Sequence, residues 1–393
     1  DKKVLNVPNL RFPEFTEEWE RCSLGHVTDF VKERISTDKL TLANYVSTEN
    51  MKSDFGGINP AISIPNNTNV IHYKKGDVLL SNIRPYLRKV WAANSDGGCS
   101  TDVFVFRAKS ISPSFLHYIM ANDTFINYVM SGAKGVKMPR GDKEQMLKYV
   151  FSIPRIEEQY KISRLLHLLD DRIATQNKII EKYESLIQAI CDTLIESGQP
   201  KVELSFNDFG EPYSGLSGKS AEDFGKGWPY ITYMNVYQNQ IIDITDVGLV
   251  KINETEQQSV VRYGDILFTL SSETPDEVGM GAVYLGDIYP LYLNSFCFGV
   301  HITDESKIYP PFLAYYISTK SFRKAVFPLA QGSTRFNLQK SDFMKKKFLF
   351  PTVEEQNKIY SVLKAYSDKL SIEKNIANLL CEQKSYLLRQ LFI

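Results

Sequence analysis

The phrase "SIPRIEEQYKI" (Ser152–Ile162) returns near the end of the chain as "LFPTVEEQNKI" (Leu349–Ile359). Pro154 then falls on Pro351, a separation of 197 residues in a chain of 393. An internal repeat of this period constrains the fold more than any composition does, because one supersecondary plan must be built twice. Three further matches keep the same order. "PSFLHYI" (Pro113–Ile119) aligns with "PPFLAYYI" (Pro310–Ile317), "GDVLL" (Gly76–Leu80) with "GDILF" (Gly264–Phe268), and "YVSTENM" (Tyr45–Met51) with "YITYMNV" (Tyr230–Val236). The offset drifts from 185 to 197 along these matches, as expected if loops changed length between two copies of one domain.

Each half divides into a long first part and a shorter second part. The long parts, 1–153 and 198–350, mix β-branched and aromatic runs ("DVFVFRA", "YLNSFCFGVHI") with Gly, Pro, Asn and Asp turns and a helical patch after Pro113 or Pro310. They read as α+β domains. The short parts, 154–197 and 351–393, read as long helices. In the first, Ile162, Leu166, Leu169, Ile173, Gln176, Ile180, Tyr183, Ile187, Ile190 and Leu194 step alternately by four and three, a heptad seam. Adding 197 gives Ile359, Leu363, Tyr366, Leu370, Glu373, Ala377, Leu380, Lys384, Leu387 and Leu391. That seam weakens after Leu370, where Ile372, Ile376 and Leu379 offer a competing stripe and a local stutter is expected. A stripe on one helix is ordinarily packed on its own domain. Two equal helices, each following an equal domain, favour an antiparallel coiled coil of the pair, which allows pseudo-two-fold symmetry within one chain. Residues whose numbers sum to about 550 then face each other, and Gln176 with Glu373 sums to 549. A buried polar pair there is expected to fix register.

Lys plus Arg and Asp plus Glu number 46 each, so only the local distribution of charge can point to a partner. Basic residues concentrate at matching places. "GAKGVKMPRGDKEQMLK" (Gly132–Lys148) carries Lys134, Lys137 and Arg140, and an earlier loop, "SNIRPYLRKVW" (Ser81–Trp91), adds Arg84, Arg88 and Lys89 around Tyr86. The second-half counterpart, Lys320–Lys347, carries eight basic residues against one acid, with Arg335 among Ser333, Thr334 and Asn337. Ser271 opens the segment "SSETPDEVG" that stands where the first half has its Arg84 loop, and Glu273 or Asp276 there would accept from a cytosine amine or repel phosphate. Such runs are commonly solvated faces. Their repetition at one point of a duplicated domain favours a double-stranded DNA partner read differently by the two halves.

No catalytic motif accompanies them. "GLSGKS" (Gly215–Ser220) lacks the Gly that a phosphate loop needs at 213, where Tyr213 stands. The five His form no H-x-x-x-H pair, and the five Cys are scattered without a C-x-x-C, so neither a metal site nor a disulfide framework is expected. No apolar run reaches the roughly 18 residues of a membrane span, and no signal peptide is read at the start; a reducing, cytoplasmic setting is the expectation. A dispersed nuclease or methyltransferase cluster, or a stand-alone pseudo-dimeric DNA-binding regulator, remains open from these residues.

The doubled P-x-[IV]-E-E-Q-x-K-I phrase, each time opening a heptad helix after one of two unlike domains, resembles the specificity subunit of type I restriction–modification systems. "LRFPEF" (Leu10–Phe15) followed by Trp19, the G-D-[VI]-L elements, "GSTRFNLQKSD" and the terminal "LLRQLFI" are similar to that family as well. The second copy lacks a counterpart of Trp19. The resemblance implies a non-catalytic subunit with two target-recognition domains, each reading half of a split DNA sequence. It implies that the antiparallel helices set the gap and dock methyltransferase subunits, which a restriction (translocase) subunit joins. No cofactor is implied on this chain; S-adenosylmethionine would sit on the methyltransferase.

Overall fold

In the computed structural model, which describes residues 6–197 and 200–393, the repeated phrase opens two long helices, Ile156–Ser197 and Val353–Leu391. Each starts just after a Pro, and each carries two Glu in its first turn, where the helix dipole favours negative charge. All ten seam positions of both helices are buried or half-buried. The expected stutter is not observed. Ile372 and Leu379 are 54% and 55% exposed, while Ala377, Leu380 and Lys384 keep the original phase. A lysine is tolerated in the seam because its ammonium meets Asp170 of the first helix at 2.6 Å.

The chain forms two compact units, one running through Gln176 together with Ile376–Ile393, the other Asn177–Asn375. The division passes through both long helices, so each unit contains a globular domain and a stretch of each helix. Within the first unit, Ile162 and Leu166 share a core with Leu387, Leu388 and Leu391. Within the second, Ile187, Cys191 and Ile195 share one with Ile359 and Leu363. In both, positions rise along one helix as they fall along the other, which is antiparallel packing. Cys191 and Ile195 lie outside the heptad seam; they are buried because that face of the helix completes the core of the globular domain.

The two domains repeat one sheet plan. An antiparallel sheet orders Thr28–Phe30, Val103–Ala108, Val78–Ser81 and Val90–Ala92 in the first. Its counterpart orders Gly210–Ser214, Cys297–Ile302, Ile266–Thr269 and Gly281–Val283. A second sheet carries the matched dipeptides Tyr45–Val46 and Tyr230–Ile231, each paired in parallel with a short strand, Gly97–Cys99 or Tyr292–Leu293. A two-stranded ribbon, Glu20–Ser23 with Val150–Ile153 or Lys201–Ser205 with Lys347–Pro351, leads into each long helix.

The other repeated motifs are structural. Gly76 and Gly264 adopt positive φ (90° and 86°), a conformation glycine reaches without penalty. The Asp that follows each caps the turn and is buried: Asp77 accepts from the Lys74 amide and from Arg107, Asp265 from the Arg262 amide and Tyr213 hydroxyl, with His301 Nδ1 at 2.9 Å. His301 thus occupies the strand position that Arg107 holds in the first copy.

The Gln of the E-E-Q phrase anchors each helix start. Gln159 Oε1 accepts from the Ser112 amide at 2.8 Å and its Nε2 donates to the Pro154 carbonyl at 2.9 Å. Gln356 does the same with the Tyr309 amide and Pro351 carbonyl, both at 2.8 Å. Each side chain ties the turn before the Pro113 or Pro310 helix to the start of a long helix. One level further on, Tyr118 donates to Asp170 and its counterpart Tyr315 to Ser367. Gln356→Ala leaves the half-buried Tyr309 amide and the buried Pro351 carbonyl without that partner and is expected to cost about 2–4 kcal/mol. The check is a urea melt, in which the midpoint falls at unchanged slope.

Candidate nucleic-acid interface

In the first domain the strand Val78–Ser81 runs into a loop whose backbone is unusual. Arg84 and Arg88 take φ of 50° and 55°, flanking a 3₁₀ turn at Pro85–Leu87. Left-handed conformations are costly for residues with a Cβ and persist where the surroundings fix them. Here the Asp54 and Phe55 amides donate to the carbonyls of Leu87 and Arg88. The other basic stretch docks against this loop: the Arg84 amide donates to Pro139 at 2.8 Å, the Gly141 amide to Asn82 at 3.1 Å, and Lys134 and Arg140 exchange backbone bonds to form a hairpin. Two segments some fifty positions apart thereby build one surface.

The side chains on it are not equivalent. Arg84, exposed Tyr86 and Lys137 have no hydrogen bond or ion pair among the described residues. Lys134 is 80% exposed beside Asp142 at 2.8 Å, which holds the carboxyl below its usual range together with the amides of Gln145 and Glu144. Arg140 meets Asp102 at 3.3 Å. Exposed pairs of this kind are weak and yield to a phosphate. Arg88 is held between Asp54 and Asp123 at 3.1 and 3.0 Å. Lys89 differs from the sequence expectation most: its ammonium donates to the Thr48 carbonyl at 2.6 Å and is half-buried, a structural strut.

The second domain repeats the construction with other side chains. Ser271 pairs with Asn337 and Ser272 with Phe336, and Ala330–Gln331 closes the hairpin. Ser333, Thr334 and Arg335 stand exposed at its tip. Gly332, at φ 134°, would bring a Cβ within 2.1 Å of the Arg335 carbonyl oxygen, so only glycine fits this turn. The eight basic residues of Lys320–Lys347 do not form one face. Arg323 turns inward and donates to the carbonyls of Asp276, Val278 and Gly279, each at 2.7 Å; Lys320 and Lys347 pair with Asp192 and Asp208.

Beside the hairpin lies a cavity of about 450 Å³ lined by Tyr233, Met234, Tyr237, Glu273, Phe296 and Arg335, among others. Tyr233 donates to the Ser271 carbonyl at 2.8 Å; Tyr237 donates to Glu277 at 2.6 Å, which lowers the Glu277 pKa. Sequence reasoning did not single out Tyr233, Tyr237 or Phe296 as site residues. Their signal was an aromatic set beside turn residues in "YITYMNV", which Tyr237 directly follows, and "YLNSFCFGVHI", read there as repeat and strand.

The "GLSGKS" segment does not bind phosphate through its lysine. Lys219 has a side chain only 4% exposed, ion-paired with Glu256 and donating to the Lys251 carbonyl. Among the described residues no group of three His, Cys, Asp or Glu is placed to hold a metal ion, and no helix is long and apolar enough to cross a membrane. On the long helices Gln176 and Glu373 are both buried, and Glu373 accepts from Lys369 at 2.6 Å. Ile372, Leu379 and Tyr386 face outward at heptad spacing on the second.

Comparison with known proteins bears on the family and the fold. The family model for the type I restriction modification DNA specificity domain matches twice, over residues 16–185 and 214–382. The chain is 22% identical to the type I restriction enzyme MjaVIII specificity subunit of Methanocaldococcus jannaschii, covering 95% of this chain and 91% of that one. It is 30% identical over 119 residues to the EcoDI specificity subunit of Escherichia coli, a match covering 29% of this chain and 27% of that one. Its fold is similar to that of the S subunit of a type I restriction–modification system from M. genitalium (TM-score 0.58, 16% identity, 98% of this chain and 99% of that one). It is equally similar to a chain solved in a study of complex assembly and conformational transition of the type I R-M system (TM-score 0.58, 19% identity, 94% and 96% covered). With the specificity domain occurring twice and together spanning most of its length, the chain belongs to the type I restriction–modification DNA specificity family.

Proposed function

We infer that this chain is the DNA-reading subunit of a type I restriction–modification complex, each domain recognising one half of a bipartite target. The long helices set the unspecified gap and dock two methyltransferase subunits, with a restriction subunit joining the assembly in the cytoplasm. The chain itself is non-catalytic and carries no cofactor; S-adenosylmethionine binds the partner methyltransferase. The observation that carries this reading is one construction made twice: a strand-end loop and a hairpin, brought together by backbone bonds, presenting free polar side chains in each domain. The outward Ile372, Leu379 and Tyr386 supply an apolar stripe on which a partner helix could pack.

The decisive experiment co-expresses the chain with its methyltransferase in a methylation-free host and maps methylated adenines. The expected map is two short half-sites at one constant gap. Methylation without a split motif, or DNA cleavage by the purified chain, rejects the reading.

Within it, Arg84 and Lys137 are assigned to phosphate. Arg84→Ala and Lys137→Ala should each weaken binding about equally across sequences and lower the salt slope by about one. Lys89→Ala should instead lower stability and leave that slope unchanged. Titrations of the complex at several salt concentrations distinguish the two behaviours.

A further inference from the structure

We propose that the cavity of the second domain is its specificity pocket and reads one G·C base pair, Glu273 accepting from the cytosine amine and Arg335 donating to the guanine. This inference deepens the function proposed above and rests on it.

Three observations converge. First, of the three charged side chains at this cavity two have opposite sign and are not engaged: Glu273 and Arg335 have no side-chain hydrogen bond or ion pair among the described residues. The third charged group, Glu277, is already committed to Tyr237, and the Tyr233 hydroxyl to the Ser271 carbonyl. A carboxylate beside a polyanion is unfavourable unless it meets a donor. On the major-groove edge of DNA the donors are the cytosine and adenine amines, while the strongest acceptor pair for a guanidinium is guanine O6 with N7. Only a G·C pair offers the amine and that acceptor pair together.

Second, the loop bearing the acids is held rigid. Arg323 fixes the carbonyls of Asp276, Val278 and Gly279, and the Gly332 turn sets the Arg335 backbone. Side chains that read base edges need such support beneath them. Third, the first domain builds the equivalent place differently. The Asn82 amide donates to Asp102 there, as the Leu270 amide donates to Phe296 here, so Asp102 and Phe296 hold matching positions. In the first domain that place holds Asp102, a carboxylate facing Arg140 at 3.3 Å, and no apolar side chain. In the second, Phe296 is 57% exposed and Met234 46%, giving the pocket an apolar wall that can cover a base edge or methyl group.

The test compares wild type, Glu273→Ala and Arg335→Ala, each co-expressed with the methyltransferase in a methylation-free host, by mapping methylated adenines. The expected wild-type motif has a required G·C pair in one half-site. Both variants should relax that same position, losing discrimination on the order of ten- to a hundredfold. The gap and the other half-site stay fixed, and the intact half-site reports that the variant is folded. A variant too weak to methylate is assayed by competition between the native duplex and one with that pair replaced by A·T. Equal binding supports the proposal and wild-type preference overturns it. An unchanged motif in both variants, or relaxation of two different positions, also overturns it while leaving the bipartite reading intact. A wild-type chain that yields no split motif rejects the bipartite reading itself.

Discussion

Adding one heptad to the middle of each long helix lengthens the unspecified gap by about 3 bp and leaves both half-sequences unchanged. Seven residues add about 10 Å of helix, and B-DNA rises 3.4 Å per base pair. A heptad also returns the seam to the same face, so Ile162 and Leu166 still meet the end of the second helix, and Ile359 and Leu363 the end of the first. Native targets should be lost. With one half-site out of place, at least three base pairs are mismatched at about 1–3 kcal/mol each, roughly a hundred- to a million-fold in affinity. Methylome mapping of the double insertion reads both effects at once. Altered half-sequences at an unchanged gap would remove the helices' role as a spacer. An insertion in one helix alone puts the seam pairs on one side of it out of register and should destabilise the helix pair rather than move the gap by the same 3 bp.

Periodicity explains why this much was legible in the sequence. The duplication and both heptad seams are statements about spacing, and spacing survives in one dimension. All ten positions of each seam are shielded, including Lys384, which a count of apolar residues would have rejected. Its partner, Asp170, lies on the other helix, and nothing in the neighbourhood of Lys384 announces it. The same limit applies to the basic loops. Their places were legible because Gly, Pro and Lys mark turns, yet Lys89 cannot be told from Arg84 without knowing that the Thr48 carbonyl lies within reach. The cavity of the second domain was least visible, since it is assembled from the Tyr233 helix, the Ser271–Glu277 loop, Phe296 and Arg335. Each of those segments is ordinary alone. The Gln of the E-E-Q phrase was conspicuous for a different reason: it is not a reacting group but a clamp that holds the same pair of backbone groups in both copies.

Replacing Arg11 by Ala should destabilise the first unit by roughly 3–5 kcal/mol, the cost typical of leaving one member of a buried ion pair behind. Arg11 grips Glu158 with two bonds of 2.8 Å, and the Glu158 side chain is only 1% exposed. The pair belongs to a strap. Around it Lys161 pairs with Glu14 and lies over the ring of Phe12, while the Leu10 amide donates to the Gln390 carbonyl, so "LRFPEF" ties the start of the first long helix to the end of the second. The double replacement Arg11→Met with Glu158→Leu removes both charges together, and most of the lost stability should return. The second copy supplies the control. Glu355 is half-buried and, among the described residues, its one ion pair is with Lys358, at 3.8 Å along its own helix, so Glu355→Ala should cost under about 1 kcal/mol. Urea melts of the four proteins test the set. A cost below about 1 kcal/mol for Arg11→Ala, equal to that of Glu355→Ala, would mean that water relieves Glu158 once the guanidinium is gone. The strap would then hold the helix ends through Leu10, Phe12 and Lys161 alone.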